Sequence, residues 1–242
     1  MRPYIFKTIL LISILTIVFG TLSAWAEDEA PTASGDISML SKYVWRGWEL
    51  SDDSIVVQPS ATVGYKGFSF NLWGNLDTDY VATESSDFNE IDLTLAYDTS
   101  IGPVGLGFGY IYYGLEGDDS KEIYISAGYD TILTPTLTIY RDIDLFPGYY
   151  YSFGISHSVV LPNDMSLDLS GSLGYYDDDT GYSSMHDGLL SAGLTIPLNS
   201  YITISPSLSY SFALSDEAEG VLINSEGDSD FMYGGVTLSI AF

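Results

Sequence analysis

The sequence predicts an all-β fold: a transmembrane, antiparallel up-and-down β-barrel of about 12 strands. Three observations lead there. Short segments of alternating apolar and polar residues recur along the chain after residue 26. The connections between them fall into a tight set and a longer, acidic set. The last segment alternates up to Phe242 and stops on that ring.

Most of the expected strands are near the roughly 9–11 residues that a tilted strand needs to cross a bilayer. They cover residues 36–47, 55–65, 68–77, 90–97, 104–113, 122–129, 136–143, 149–159, 165–176, 188–196, 201–212 and 231–242. The tight connections are residues 66–67, 99–103, 130–135, 161–164 and 197–200. The longer ones are 48–54, 78–89, 114–121, 144–148, 177–187 and 213–230. Outer-membrane barrels show this asymmetry, with short periplasmic turns and longer outer loops. An even strand number places both ends of the barrel domain on the periplasmic side. No composition break suggests a second domain within residues 27–242.

Alternation also assigns faces, because successive side chains of a strand point to opposite sides. Ile91, Leu93, Leu95 and Tyr97 fall on one face, as do Ile123, Ile125, Ala127 and Tyr129, and Leu167, Leu169 and Leu173. Their polar neighbours then face a lumen. A soluble sandwich would alternate in the same way, so the aromatic residues matter. Tyr65, Phe68, Tyr97, Tyr129 and Phe242 sit at the short-turn ends. Trp45, Tyr110, Tyr112, Tyr149, Tyr151, Tyr175, Tyr210 and Phe212 sit towards the long-loop ends. Two aromatic girdles around an aliphatic band suit a membrane barrel.

The two ends of the chain agree. Residues 1–26 begin with Arg2 and Lys7, continue through an apolar run, and finish Ser23-Ala24-Trp25-Ala26. That pattern predicts a signal peptide cleaved after Ala26. The apolar run is shorter than the roughly 20 residues of a spanning helix. At the other end, Tyr233, Gly235, Leu238, Ile240 and Phe242 resemble the C-terminal assembly signal of bacterial outer-membrane barrels. The expected partners are therefore the barrel-assembly machinery, outer-membrane lipids and lipopolysaccharide.

Composition narrows the function. The chain carries 33 acidic and 7 basic residues, with a net charge of −26. Such a surface repels nucleic acid and argues against an anion-selective pore. There is no Cys, which removes disulfides and thiolate metal sites. A hydrophobic content of 46% is too high for a disordered acidic chain. The 20 Tyr and 24 Gly suit membrane interfaces and curved strands.

The candidate lumen charges are Lys42, Arg46, Glu90, Asp92, Glu122, Asp142 and Asp168. A cation on the lipid face at mid-bilayer costs roughly 2–4 kcal/mol, so Lys42 and Arg46 belong inside. There they form either a charged constriction that filters small solutes or an internal charge compensation that holds a narrow barrel together. Arg141 is in phase with Leu137 and Ile139, which turns it outward unless a bulge intervenes. The acidic loops around Asp52, Asp118, Asp178 and Glu217 are solvated surfaces that could collect divalent cations diffusely; none has calcium-loop spacing. No cofactor is expected. Only His157 and His186 are available for acid–base work, so an enzyme, a lipase or protease at the barrel mouth, is the weakest reading.

Ser41-Lys42-Tyr43-Val44-Trp45-Arg46-Gly47-Trp48 is followed by Gln58-Pro59, Gly67-Phe68 and Trp73-Gly74-Asn75. This order resembles the N-terminal pattern of the TorF family of porin-like proteins, over about residues 36–77; Glu122-Ile123-Tyr124 and Tyr140-Arg141-Asp142 are weak echoes of it later in the chain. The resemblance implies an outer-membrane barrel with pore activity and assigns no catalytic residue. Taken together, the expectation is a porin-like channel for passive diffusion of small solutes, cation-preferring. A closed structural or adhesive barrel, plugged by Trp73, Tyr124, Tyr140 and Tyr176, is the alternative.

Overall fold

A computed structural model describes residues 30–80 and 85–242. The expected signal peptide, residues 1–26, lies outside the described residues. Among the described ones the chain forms a closed antiparallel barrel of 12 strands. The wall strands are β1 (Thr32–Leu40), β4 (Val56–Tyr65), β5 (Phe68–Tyr80), β6 (Ser85–Ile101), β7 (Val104–Leu115), β8 (Ser120–Tyr129), β9 (Thr136–Asp142), β10 (Gly148–Val160), β11 (Ser166–Asp178), β12 (Ser183–Pro197), β13 (Ile202–Ala213) and β14 (Phe231–Ala241). Each pairs with its neighbour in the wall, and β1 closes the ring against β14. Closure satisfies every edge, which a spanning sheet requires because lipid offers no hydrogen-bond partners.

The seam between β1 and β14 is close. Ile37 lies opposite Leu238 and Leu40 opposite Gly235. A Cβ on Gly235 would come 1.9 Å from the Met39 carbonyl oxygen, so only glycine fits there. Phe242 extends the seam, its N–H donating to the Ala33 carbonyl at 2.9 Å. Its ring lies 6.0 Å from Tyr201. Of the expected assembly residues, Leu238, Ile240 and Phe242 face outward and are exposed, while Gly235 and Tyr233 share the face of Thr237 and Ser239.

The alternation holds around the wall. Ile91, Leu95, Ile123, Ile125, Leu169 and Leu173 are exposed on the outside, as a lipid-facing band would be. Phe68 packs on Tyr97 at 4.6 Å near the short turns. Tyr149, Tyr151 and Tyr175 form a row near the other end, with centroids 6.0 Å apart. Arg141 does face outward, beside Ile123 and Tyr149 in register. Its guanidinium lies 4.6 Å from the Tyr149 ring centre and donates twice to Asp179, at 3.0 and 2.7 Å.

The structure corrects three details. The first wall strand begins at Thr32 and leaves the wall after Leu40, whereas alternation carried it to residue 47. Residues beyond Leu40 form a small hairpin, β2 (Val44–Trp45) and β3 (Trp48–Glu49). Consequently Trp45 is not part of the outer girdle. Finally, most acidic connections are shorter than expected because the strands run further at that end: β6 starts at Ser85 and spans 17 residues, and β12 starts at Ser183 and spans 15. The end asymmetry is concentrated in residues 41–55 and 214–230. The second of these holds a short helix, α1 (Asp216–Leu222), capped by the Ser215 hydroxyl, which accepts from the Ala218 N–H.

Candidate functional site

The lumen is built differently in its two halves. In the short-turn half the inward positions carry small polar side chains: Ser60 and Asn71 across β4 and β5, Ser191 and Ser209 across β12 and β13, and Ser38 and Thr237 across the seam. These pairs are hydrogen-bonded at 2.8–2.9 Å. Asp168 belongs to this half. It accepts from the hydroxyls of Ser158, Ser166 and Thr195 and meets no cation among the described residues. It therefore takes no part in an internal compensation of Lys42 or Arg46, because both cations have left the wall for the other end.

In the long-loop half the hairpin folds inward. Trp45 and Trp48 pair across a two-residue turn, Arg46-Gly47, with φ of 47° and 85°. Positive φ at both central residues is the geometry of the tight hairpin turns that match strand twist. Gly47 is required for a second reason: a Cβ there would come within 2.8–3.0 Å of Leu222 and Asp187. The base of the hairpin is held by Leu50 N–H to the Tyr43 carbonyl at 2.7 Å and Tyr43 N–H to the Ser51 hydroxyl at 2.9 Å.

This turn delivers Arg46 to the far wall. Its guanidinium donates to both Glu122 oxygens, at 2.7 and 2.8 Å. The Tyr113 hydroxyl donates to the same carboxylate at 2.9 Å. The Trp45, Tyr140 and Tyr150 rings surround the guanidinium at 4.4–4.5 Å. Bidentate charge-assisted bonds and cation–π contacts are each favourable in a dry site. The side chains are 8% and 3% exposed, so removing either partner would strand a buried charge.

The other expected charges are partly gathered here. Glu90 hydrogen-bonds the Tyr43 hydroxyl at the base of the hairpin, and Asp92 follows it inward on β6. Asp142 lies opposite Glu122 in register and accepts from the Ser120 hydroxyl at 2.7 Å. Lys42 stays within its own loop, paired with Glu49 at 2.7 Å and with Asp53. His186 is fully buried, its Nδ1 2.7 Å from the Tyr182 hydroxyl and its ring 4.5 Å from Trp48. Asp187 accepts from the Tyr150 hydroxyl at 2.9 Å. Both are locked into the packing around the hairpin. On the other candidate histidine, His157 Nδ1 bonds the Ile132 carbonyl at 2.7 Å.

The last long connection covers the hairpin. Trp48 Nε1 donates to the Val221 carbonyl at 3.1 Å. Asn224 donates to Glu49 at 2.6 Å and Ser225 to Asp52 at 2.6 Å. Two cavities remain on either side of the Arg46 bridge, and Trp45 and Tyr113 line both. One of about 340 Å³ also touches Tyr140, Tyr150, Ser152, Ser172 and Asp187. The other, of about 430 Å³, touches Trp48, Leu50, Glu90, Phe146 and Asp178.

The acidic turns are not assembled as metal cages. Among the described residues no group of three or more His, Asp or Glu side chains is arranged to hold an ion. Asp178 instead organises its own turn, accepting from the N–H groups of Thr180, Gly181 and Tyr182.

The hairpin, its partners Tyr113 and Tyr150, and the clamp from residues 214–230 are not marked in the alternating pattern of the sequence. Arg46-Gly47 between two tryptophans was the available signal, since Gly favours the second position of such a turn.

A closed barrel with an apolar outside and a polar, partly filled inside belongs to the outer-membrane type. The chain is similar in structure to the NanC porin, with a TM-score of 0.53 at 9% identity, over 88% of this chain and 99% of that one. Weaker likenesses are to an outer-membrane channel from Pseudomonas putida F1 (TM-score 0.45, 11% identity, 91% and 98% covered) and an anion-selective porin from Comamonas acidovorans (TM-score 0.36, 10% identity, 88% and 99% covered). No protein-family model matches the chain, and no curated protein matches it by sequence.

Proposed function

We propose that this protein is an outer-membrane channel for passive diffusion of small solutes, porin-like in mechanism and cation-preferring, of the TorF type that its N-terminal pattern resembles. Export through a cleaved signal peptide, insertion by the barrel-assembly machinery and contact with lipopolysaccharide belong to the same reading. The observation that carries it is a polar lumen that narrows at one inward hairpin. A barrel built only as a surface stud would need neither the hydroxyl-lined half nor the cavities flanking Arg46.

Selectivity follows from charge. Asp36, Asp98 and Asp168 face the short-turn half of the lumen. Around the hairpin, Glu90, Asp92, Glu122, Asp142 and Asp187 outnumber Arg46, while Lys42 is already paired with two carboxylates of its own loop. A narrow passage with low-dielectric walls focuses such fixed charge onto permeant ions. Lower salt strengthens the preference as screening falls.

Reversal potentials across a salt gradient in planar bilayers test this. A cation preference that rises in Lys42→Gln/Arg46→Gln is the expected result. Anion preference would refute the lumen assignment. The closed-barrel alternative draws support from the aromatic packing at the hairpin and the clamp above it, and a complete absence of current would select it.

A further inference from the structure

The most demanding feature of the lumen is the cage around Arg46. A carboxylate, Glu122, faces three aromatic rings, and the guanidinium between them belongs to the chain itself. The hairpin brings it there with a non-glycine residue at positive φ. The bridge stands between two cavities whose shared walls are Trp45 and Tyr113. Arg46 lines one of these cavities and its partner Glu122 lines the other.

Electrostatics restricts what solute can take the place of Arg46. Withdrawing Arg46 alone would leave Glu122 buried without a counter-charge, which is strongly unfavourable. Exchanging Arg46 for another cation leaves the charge of the cage unchanged. A small inorganic ion would give up its hydration for aromatic faces. An anion would meet Glu122, with Asp187 on one side and Glu90 and Asp142 on the other. A planar or primary organic cation satisfies both the carboxylate and the rings.

We propose that the cage is a binding site for organic cations bearing a guanidinium or primary ammonium group, which Arg46 occupies as an internal stand-in until such a solute displaces it and the hairpin swings aside. The transport half of this inference rests on the channel reading; the binding half does not.

The test uses the full mature protein in detergent micelles and n-butylguanidinium as the probe, at constant ionic strength. Tryptophan fluorescence, with Trp45 in the cage wall, reports binding. The expected result is saturable binding at least tenfold tighter in Arg46→Ala than in the wild type, and lost in Arg46→Ala/Glu122→Gln. Should the alanine protein fail to fold, Arg46→Gln retains a donor to Glu122 and is expected to bind more tightly than the wild type too. Equal affinity in wild type and variant, or an equal response to n-butyl sulfate, would overturn the proposal. In bilayers, the probe on the long-loop side is expected to raise wild-type current and to block Arg46→Ala. Binding without any current would keep the site and remove the channel reading. Current without binding would remove the site and leave the channel.

Discussion

On β10 and β11 the inward residues towards the short turns include Ser156, Ser158, Asp168 and Ser170; the three serines are exposed. Further along the same strands the inward residues become Tyr150 and Tyr176, and Tyr150 is 6% exposed. Neighbouring strands make the same change, from Ser126 to Glu122 and from Thr138 to Tyr140. One set of strands therefore builds a roomy, hydroxyl-lined vestibule at one end and a packed wall at the other. The difference lies in what the wall is given to hold. Small side chains leave space, whereas rings and carboxylates receive the hairpin from residues 41–55. Beside its lipid-facing band, such a barrel is held by the closed hydrogen-bonded wall and by the polar packing inside it, and that packing changes along the axis.

That contrast can be broken most sharply at Glu122. Glu122→Ala leaves the Arg46 guanidinium buried among rings with no carboxylate. Destabilisation of about 3–5 kcal/mol is expected from stranding one member of a buried pair, read as a lowered midpoint for loss of heat-modifiable mobility on gels. A shift within error would mean the bridge is not buried in the membrane-inserted protein.

The vestibule half should discriminate its two faces. Ile155 is exposed on the outside, and Ser156 beside it points inward. Ile155→Arg is expected to cost about 2–4 kcal/mol, as for a cation facing lipid near mid-bilayer. Ser156→Arg is expected to stay within about 0.5 kcal/mol, as for an unconstrained exposed site. Equal effects would show that this half is not a water-filled lumen set against lipid.

The smallest effect is expected outside the wall. The hydrogen bonds from Arg141 hold the Asp179 carboxyl below the usual carboxylate range. A depressed acid contributes its stabilisation above the unfolded value, about 3.9, and loses it as pH falls through the lower folded value. The pair should therefore persist through mildly acidic conditions. Asp179→Asn should remove a small increment at neutral pH that salt also screens, and should leave the channel current unchanged. A change in current would place this turn in the permeation path.

Much of the wall was legible in the sequence because its physics is local. Period-two alternation in 122–129 or 165–176 needs only the two faces of a strand, and Lys66-Gly67 or Asn163-Asp164 mark turns by themselves; all four take positive φ. The hairpin was not legible for a related reason. Tyr43 and Trp45 continue the phase of Met39 past Leu40, so nothing in the pattern marks where the chain leaves the wall. What turns it inward is long-range: Glu122, Tyr140 and Tyr150 lie far along the chain, and the clamp comes from Asn224 and Ser225. For Arg141 phase left two placements open, outward or turned inward by a bulge, and the unbroken register with Ile123 and Tyr149 gives the outward one. Phase was not enough for Lys42 and Arg46: the cost of charge in lipid pointed both inward, and Glu122 was among the carboxylates expected to meet them, but Lys42 pairs with Glu49 and Asp53 in its own loop and the aromatic cage around Arg46 was not foreseen.

In the channel proposed above, the lumen conducts, lies open in the vestibule half and is narrowed by the hairpin in the other. Planar-bilayer conductance of the wild type beside a variant with residues 43–50 replaced by a short Gly-Ser link tests it directly. The shortened loop is expected to raise single-channel conductance several-fold while the preference for cations persists, since the wall carboxylates remain. Unchanged conductance, or no current in either protein, would contradict it.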